Sequence, residues 1–325
     1  MRDPFFIEPL PWLVKLAQPW CDWLSLPTLS LHIHEVIIGA LFYSVVFYPI
    51  SPFISRLLAP KYYTTLPRKR RLNWDAHVVS MIQATLINGL AIWVMVTDDE
   101  RRNMSWEERI WGYTGATGMV QALAAGYFVW DFFVTTMNLD VFGFGTLAHA
   151  IAALLVFSLG FRPFVNYYGC IFILWELSTP FLNIHWFMDK LGMTGSRAQL
   201  YNGIILLFSF FSCRLVYGTY QSLMVFLDIW RAIYEHPSTS SLHSMSLRFA
   251  TDVSTVPPWL GAVYLASNLT LNGLNFYWFV MMIKAVRKRF EPGQQSQTEV
   301  EVDFSSVASA VSRETERVHR RKISK

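Results

Sequence analysis

Charge is what this sequence has least of. Only 15% of its 325 residues are Asp, Glu, Lys or Arg, against about 25% in an ordinary soluble domain. The shortage is concentrated: none of the four occurs in 36–55, 76–97, 110–130, 141–161 or 253–283. A helix of about 20 mostly apolar residues crosses the hydrocarbon of a bilayer, and every one of these gaps is at least that long. An ordinary water-soluble globular chain is excluded. So is intrinsic disorder, which requires low hydrophobicity.

Cysteine is almost as scarce. Cys21, Cys170 and Cys213 are the only three, an odd set that offers neither a disulfide framework nor paired zinc ligands. We read them as small residues in or near membrane spans. His-Glu-x-x-His and Gly-x-Ser-x-Gly are missing, and the Gly143–Gly145 pair lacks the third glycine of a nucleotide loop. No resident cofactor, metal or nucleic-acid partner is therefore expected. A cleavable signal peptide is not expected either, because Pro4, Pro9, Pro11, Pro19 and Pro27 break any apolar leader.

What is present in quantity is apolar and aromatic: 53% hydrophobic residues, 16% aromatic, 13 Trp. The pattern predicts an all-α polytopic membrane protein with seven spans, near 33–56, 74–96, 113–135, 144–161, 164–186, 200–227 and 258–284. Pro49 and Pro52 should bend the first span and Pro180 the fifth. Trp12, Trp20, Trp23, Phe5 and Phe6 suggest that residues 1–31 form an arm on the membrane surface. Residues 32–69 then supply a first anchor and a basic loop, 70–289 the main membrane domain, and 290–325 a disordered basic tail. Arg56, Lys61, Arg68, Lys69, Arg70 and Arg71 fall on the same side as Lys284, Arg287, Lys288 and Arg289. The positive-inside rule makes that side cytosolic, with the N-terminus lumenal or exterior.

Polar groups at membrane depth are costly, so each asks for a partner or a role. Asp131, near the end of the third span, and His149, early in the fourth, are expected at one depth, where a carboxylate could orient an imidazole. Glu176, Thr179, Pro180 and Asn183 share one helical face, with His185 and Trp186 just beyond. Arg214, in mid-span, requires an acid, and Glu176 is nearest in estimated depth. Asn268, Asn272 and Asn275 line one face of the last span. His77, Ser80, Gln83 and Asn88 do so less regularly in the second.

Three strings carry a resemblance to a known family. They are Arg71-Leu-Asn-Trp74-Asp75-Ala-His77-Val-Val-Ser80, Gly126-Tyr-Phe-Val-Trp-Asp131 followed by His149, and Trp175-Glu176-Leu-Ser178-Thr179-Pro180-Phe-Leu-Asn183-Ile-His185-Trp186, with Asn202 and Arg214 beyond. Over 70–289 the sequence resembles the TLC-domain family. That family groups translocating-chain-associated proteins, ceramide synthases and lipid-homeostasis proteins of the endoplasmic reticulum. The resemblance implies an endoplasmic-reticulum membrane protein that binds or senses lipids, sphingolipids among them, in a bundle whose cavity opens to the cytosol. It implies membrane lipids as partners; homo- or hetero-oligomerisation is left open. Asp131 and His149 would form its reactive part. Trp74, Glu176, Ser178, Thr179, Asn183, His185, Asn202 and Arg214 would line it. The family's acyltransferases are similar in using two adjacent His with acyl-CoA as co-substrate. Here Ala148-His149 stands at that place. One His would have to serve as both base and acid, and the lipid-homeostasis branch is the more similar. Two alternatives stay open: a ceramide-synthase-like N-acyltransferase acting on a sphingoid base or related lipid amine, and a cargo or translocon-associated scaffold.

Overall fold

The computed structural model describes residues 1–290, with side chains for 1–287. All regular secondary structure among the described residues is helical. The principal helices are α1 (Pro11–Leu24), α2 (Leu29–Leu58), α3 (Arg68–Thr97), α4 (Trp106–Trp111), α5 (Gly115–Met137), α6 (Leu139–Leu159), α7 (166–190), α8 (Arg197–Tyr234) and α9 (Pro258–Phe290). Each of the seven expected segments is helical. By length and hydropathy, four helices among the described residues qualify to cross a membrane: α2, α3, α6 and α8. The tail expected at 290–325 lies outside the described residues from 291 onward.

Proline shapes two helices as its chemistry requires. Pro49 lies within a π-helical turn, Val46–Ile50, that interrupts α2. Pro180 has no N–H to give the carbonyl four residues back, which belongs to Glu176. There α7 tightens into a 3₁₀ turn, Leu174–Ser178, before resuming as Thr179–Lys190. A third irregularity has no proline. In α8, Phe211–Tyr217 is π-helical, a widened turn often found at functional positions.

Helix α5 is the centre of the bundle, packed between α2 and α6 and also against the first half of α7. Its approach to α2 is backbone on backbone. A Cβ at Gly126 would sit 2.5 Å from the Val36 carbonyl oxygen, and one at Gly39 would sit 3.5 Å from the Gly126 Cα. Small residues of this kind let membrane helices close on each other where the hydrophobic effect gives no drive. Along α5 the apolar core continues through Ala116, Val120, Ala124 and Phe128 to Ile87, Ala91 and Val94 of α3.

One end of the bundle is tied by polar side chains. Arg109 of α4 grips Asp228 of α8 with two bonds, of 2.8 and 3.0 Å. The Tyr168 hydroxyl adds a third to Asp228 at 2.6 Å. The paired carboxylate raises the Arg109 pKa still further above its ordinary value. Glu108 accepts from the hydroxyls of Ser244 and Ser246 at 2.6 and 2.7 Å. These contacts bind the connection after α3 to the long connection before α9.

Candidate functional site

The 3₁₀ turn in α7 and the π turn in α8 face each other, and the site is built between them. Arg214 projects from the π turn and is almost wholly buried. Its Nη2 lies 3.5 Å from Glu176 Oε1 and donates to Thr179 Oγ1 at 3.0 Å. Nε donates to Ser178 Oγ at 3.2 Å, and Nη1 to Asn275 Oδ1 of α9 at 2.9 Å. The Phe210 ring covers the guanidinium from 4.9 Å. A buried charge persists only when paired and hydrogen-bonded, and Arg214 is both. The acid expected for it from depth alone is the acid it has.

The Glu176 carboxylate is steadied from its other oxygen, which accepts from Thr179 Oγ1 at 2.8 Å. The face predicted from the spacing of Glu176, Thr179 and Asn183 therefore exists, but it splits by task. Its first turn serves Arg214. Asn183, one turn further on, serves α3: its Nδ2 donates to Ser80 Oγ at 3.1 Å, and its Oδ1 lies 2.7 Å from His77 Nδ1. The His77 ring stacks on Trp186 with centroids 4.1 Å apart.

A small void adjoins the Arg214 network. It measures about 30 Å³ and is lined by His149, Glu176, Arg214 and Asn275 among apolar groups from α5, α6, α7 and α9. That is room for roughly one water-sized group. Phe128, Phe157, Phe172 and Trp175 supply its aromatic lining. His149 has ring neighbours, Trp278 at 5.7 Å and Phe128 at 6.3 Å. Among the described residues it has no hydrogen-bond partner.

Asp131 and His149 are not joined. Asp131 Oδ1 accepts from Thr135 Oγ1 at 3.3 Å, one turn along its own helix, and Asp131 does not line the void that His149 lines. At the start of α6 Gly143 has φ 78°, ψ 170°, so the backbone there leaves regular helical geometry.

The remaining expected residues lie nearer the end of α7. Trp74 donates its indole N–H to Ser55 Oγ at 2.9 Å and meets Trp186 edge-on at 5.7 Å. Asn202 Nδ2 donates to the Phe181 carbonyl at 2.8 Å. His185 lies against Gly203. Sequence reasoning left out Asp75 and His77 as site residues. Asp75 accepts from Ser51 at 2.6 Å and from Tyr63. Both residues stand inside the Trp74-Asp75-Ala76-His77 string, which was the available signal. The π turn around Arg214 had none.

A family model for the TLC domain matches residues 73–284. The chain belongs to the TLC-domain family. It is 37% identical over 302 residues to an uncharacterized TLC domain-containing protein of Schizosaccharomyces pombe, covering 93% of this chain and 92% of that one. It is 28% identical over 271 residues to topoisomerase I damage affected protein 4 of Saccharomyces cerevisiae, covering 82% and 88%. With human TLC domain-containing protein 4 it shares 26% identity over 176 residues, 53% of this chain and 65% of the other. The matched segment takes in Asp131, His149, Glu176 and Arg214, whereas α1 and α2 precede it.

Proposed function

We propose that this TLC-domain protein binds or senses a membrane lipid of the endoplasmic reticulum, and that the lipid's polar group is received at His149 beside the Glu176–Arg214 pair. The observation that carries this reading is an imidazole without a hydrogen-bond partner, placed at a water-sized void next to a buried guanidinium. The ring is only partly buried, so an imidazole without a partner here can take one from a group that enters the void. The void admits a hydroxyl, carbonyl or amine and no more. The acyl chains would then stay in the bilayer, against the exposed apolar faces of α8, such as Ile204, Phe208 and Phe211. In this reading the helices form seven spans with a lumenal N-terminus and a cytosolic C-terminus. The site is reached from the cytosolic half, and sphingolipids are the first class to examine.

The decisive measurement is mass spectrometry of lipids co-purified with the wild-type protein and with His149→Leu, beside the lipid profiles of a deletion strain and a His149→Leu strain. One lipid class enriched over the bulk membrane, and lost in His149→Leu, is the expected result. Co-purified lipid that mirrors the bulk in both proteins overturns it. Consumption of an acyl-CoA and a sphingoid base by the wild type, lost in His149→Leu, would turn the reading into an N-acyltransferase. A deletion phenotype that His149→Leu leaves intact would turn it into a scaffold.

A further inference from the structure

A second cluster of titratable groups lies near the start of α2, away from the Arg214 network. His32, at the first turns of the helix, is fully buried, as is Glu35 one turn later. Glu35 Oε2 lies 2.9 Å from His32 Nδ1. Asp3, in the extended segment before α1, brings its Oδ2 to 3.4 Å from the same nitrogen. The other oxygen of Asp3 accepts the backbone N–H of Phe5 at 2.9 Å, which fixes how the carboxylate is turned. One ligand atom from each of Asp3, His32 and Glu35 lies within 4.8 Å of the others.

Two carboxylates at His32 are not balanced by its imidazole; the second imidazole nearby, His34, has its Nε2 3.8 Å from Glu35 Oε1 but gives its proton to the Ile7 carbonyl at 2.9 Å. Protonated, the His32 imidazole would neutralise one of them, and a buried uncompensated charge is expensive. Glu35 Oε1, fully shielded from solvent, also has no hydrogen-bond partner. A divalent cation at His32 Nδ1 would answer both problems. It would balance two carboxylates and could engage Glu35 through both oxygens. At bond lengths of about 2.0–2.2 Å, ligand atoms of one metal stand roughly 3 Å apart, and the two carboxylate oxygens stand 2.9 and 3.4 Å from His32 Nδ1.

The surroundings match a metal-ligating histidine. The far nitrogen of such an imidazole normally holds an outer hydrogen bond that sets its tautomer. His32 Nε2 lies 2.6 Å from the Tyr113 hydroxyl. Space for the ring comes from Gly118 of α5, where a Cβ would fall 2.3 Å from His32 Nε2. Above the cluster is a cavity of about 1150 Å³ lined in part by Asp3, Glu8, Asp98, Asp99 and Glu100, with Arg2 and Arg248 as its basic side chains. The Met1 ammonium also lines it and pairs with Asp98 and Glu100, so five carboxylates face three cations there, a modest balance in favour of cation entry.

We infer that Asp3, His32 and Glu35 form a binding site for a divalent first-row transition metal, zinc or manganese, at the end of the bundle opposite the basic 56–73 loop. The mixed nitrogen and oxygen donors suit these ions better than calcium, which takes oxygen alone, or copper(I), which prefers sulfur. Three protein ligands is also the count at sites that keep a position for water or a bound molecule. Asp3, His32 and Glu35 all precede the segment matched by the family model, so the family resemblance does not supply them.

The test uses the full chain, untagged and purified in detergent without added metal, then equilibrated with Zn²⁺ or Mn²⁺ and desalted. Elemental analysis should find one ion per chain, and thermal unfolding should shift upward with the metal. Retention should fall at least about tenfold in Glu35→Gln and in Asp3→Asn, and the thermal shift should vanish. Asp3 is about a quarter exposed, so Asp3→Asn keeps the test informative if Glu35→Gln fails to fold. A wild-type protein that retains neither ion and does not shift overturns the inference and leaves a proton-sharing carboxyl pair. Variants that retain metal like the wild type overturn it equally.

Discussion

Arg214 of α8 donates to Asn275 of α9 at 2.9 Å, across 61 residues of sequence, while its second Nη donates to Thr179 of α7. Three helices thus meet at one guanidinium. The asparagine stripe of α9 acts on the same helix from two positions, since Asn272 Nδ2 donates to Ser222 Oγ of α8 at 3.0 Å.

Arg214→Met should be severely destabilising. It leaves Glu176 shielded without its cation, and breaking a buried pair from one side costs about 3–5 kcal/mol. The double variant Arg214→Met, Glu176→Gln should recover much of that loss, because it removes both charges. Thermal unfolding in detergent checks the ordering. A double variant no more stable than Arg214→Met would show that the hydrogen bonds to Ser178, Thr179 and Asn275 matter more than the charge.

Gly126→Ala should separate α2 from α5. The added methyl carbon meets a backbone carbonyl that cannot rotate away, and overpacking of this kind costs about 1–3 kcal/mol. Gly89→Ala, where nothing lies within 4 Å, is the control and should be neutral or slightly stabilising. Equal unfolding temperatures for the two variants would argue against the close crossing.

Acid should loosen the end of the bundle held by Glu108. Burial pushes this carboxyl up, but the hydroxyls of Ser244 and Ser246 and the Ser105 amide outweigh it and hold its pKa below the usual value. A group depressed in the folded state contributes stability above its unfolded pKa of about 4.3, and that contribution is lost as pH falls through the folded value. Wild-type unfolding temperature should therefore drop on acidification below about pH 5 by more than that of Glu108→Gln. Parallel curves for the two proteins would refute the assignment.

Asn183→Leu should cost about 1–3 kcal/mol, because it strips buried partners from both His77 and Ser80. Asn183→Asp keeps the acceptor for His77 and should be milder. Limited proteolysis between α7 and α8 reads the loss of docking onto α3.

The all-helical architecture was legible from the charge gaps, because a bilayer leaves few other solutions for such runs. The pairing of Glu176 with Arg214 was legible for a related reason: a lone cation at depth demands an acid, and the candidates were few. Depth says less about which groups bond: Asp131 takes its hydrogen bond from Thr135, one turn along its own helix, a partner that any helix offers locally and that depth does not single out. The shape of the void beside Arg214 was not legible, because hydropathy counts aromatic residues without saying which way Phe128, Phe157 and Phe172 point. The cluster at His32 escaped for another reason. Asp3 is 29 residues from His32, in a segment read only as a surface arm, and nothing local marks the two as neighbours.

The crossing of Gly39 on Gly126 also decides what counts as the domain. The matched family segment begins at residue 73, yet its central helix is closed on one side by α2, backbone against backbone. A chain cut at residue 73 would leave the glycine face of α5 open to lipid, with no side chains of its own to cover it. The packed unit here is accordingly larger than the matched family segment. Any fragment expressed to study the TLC segment should carry α2 with it.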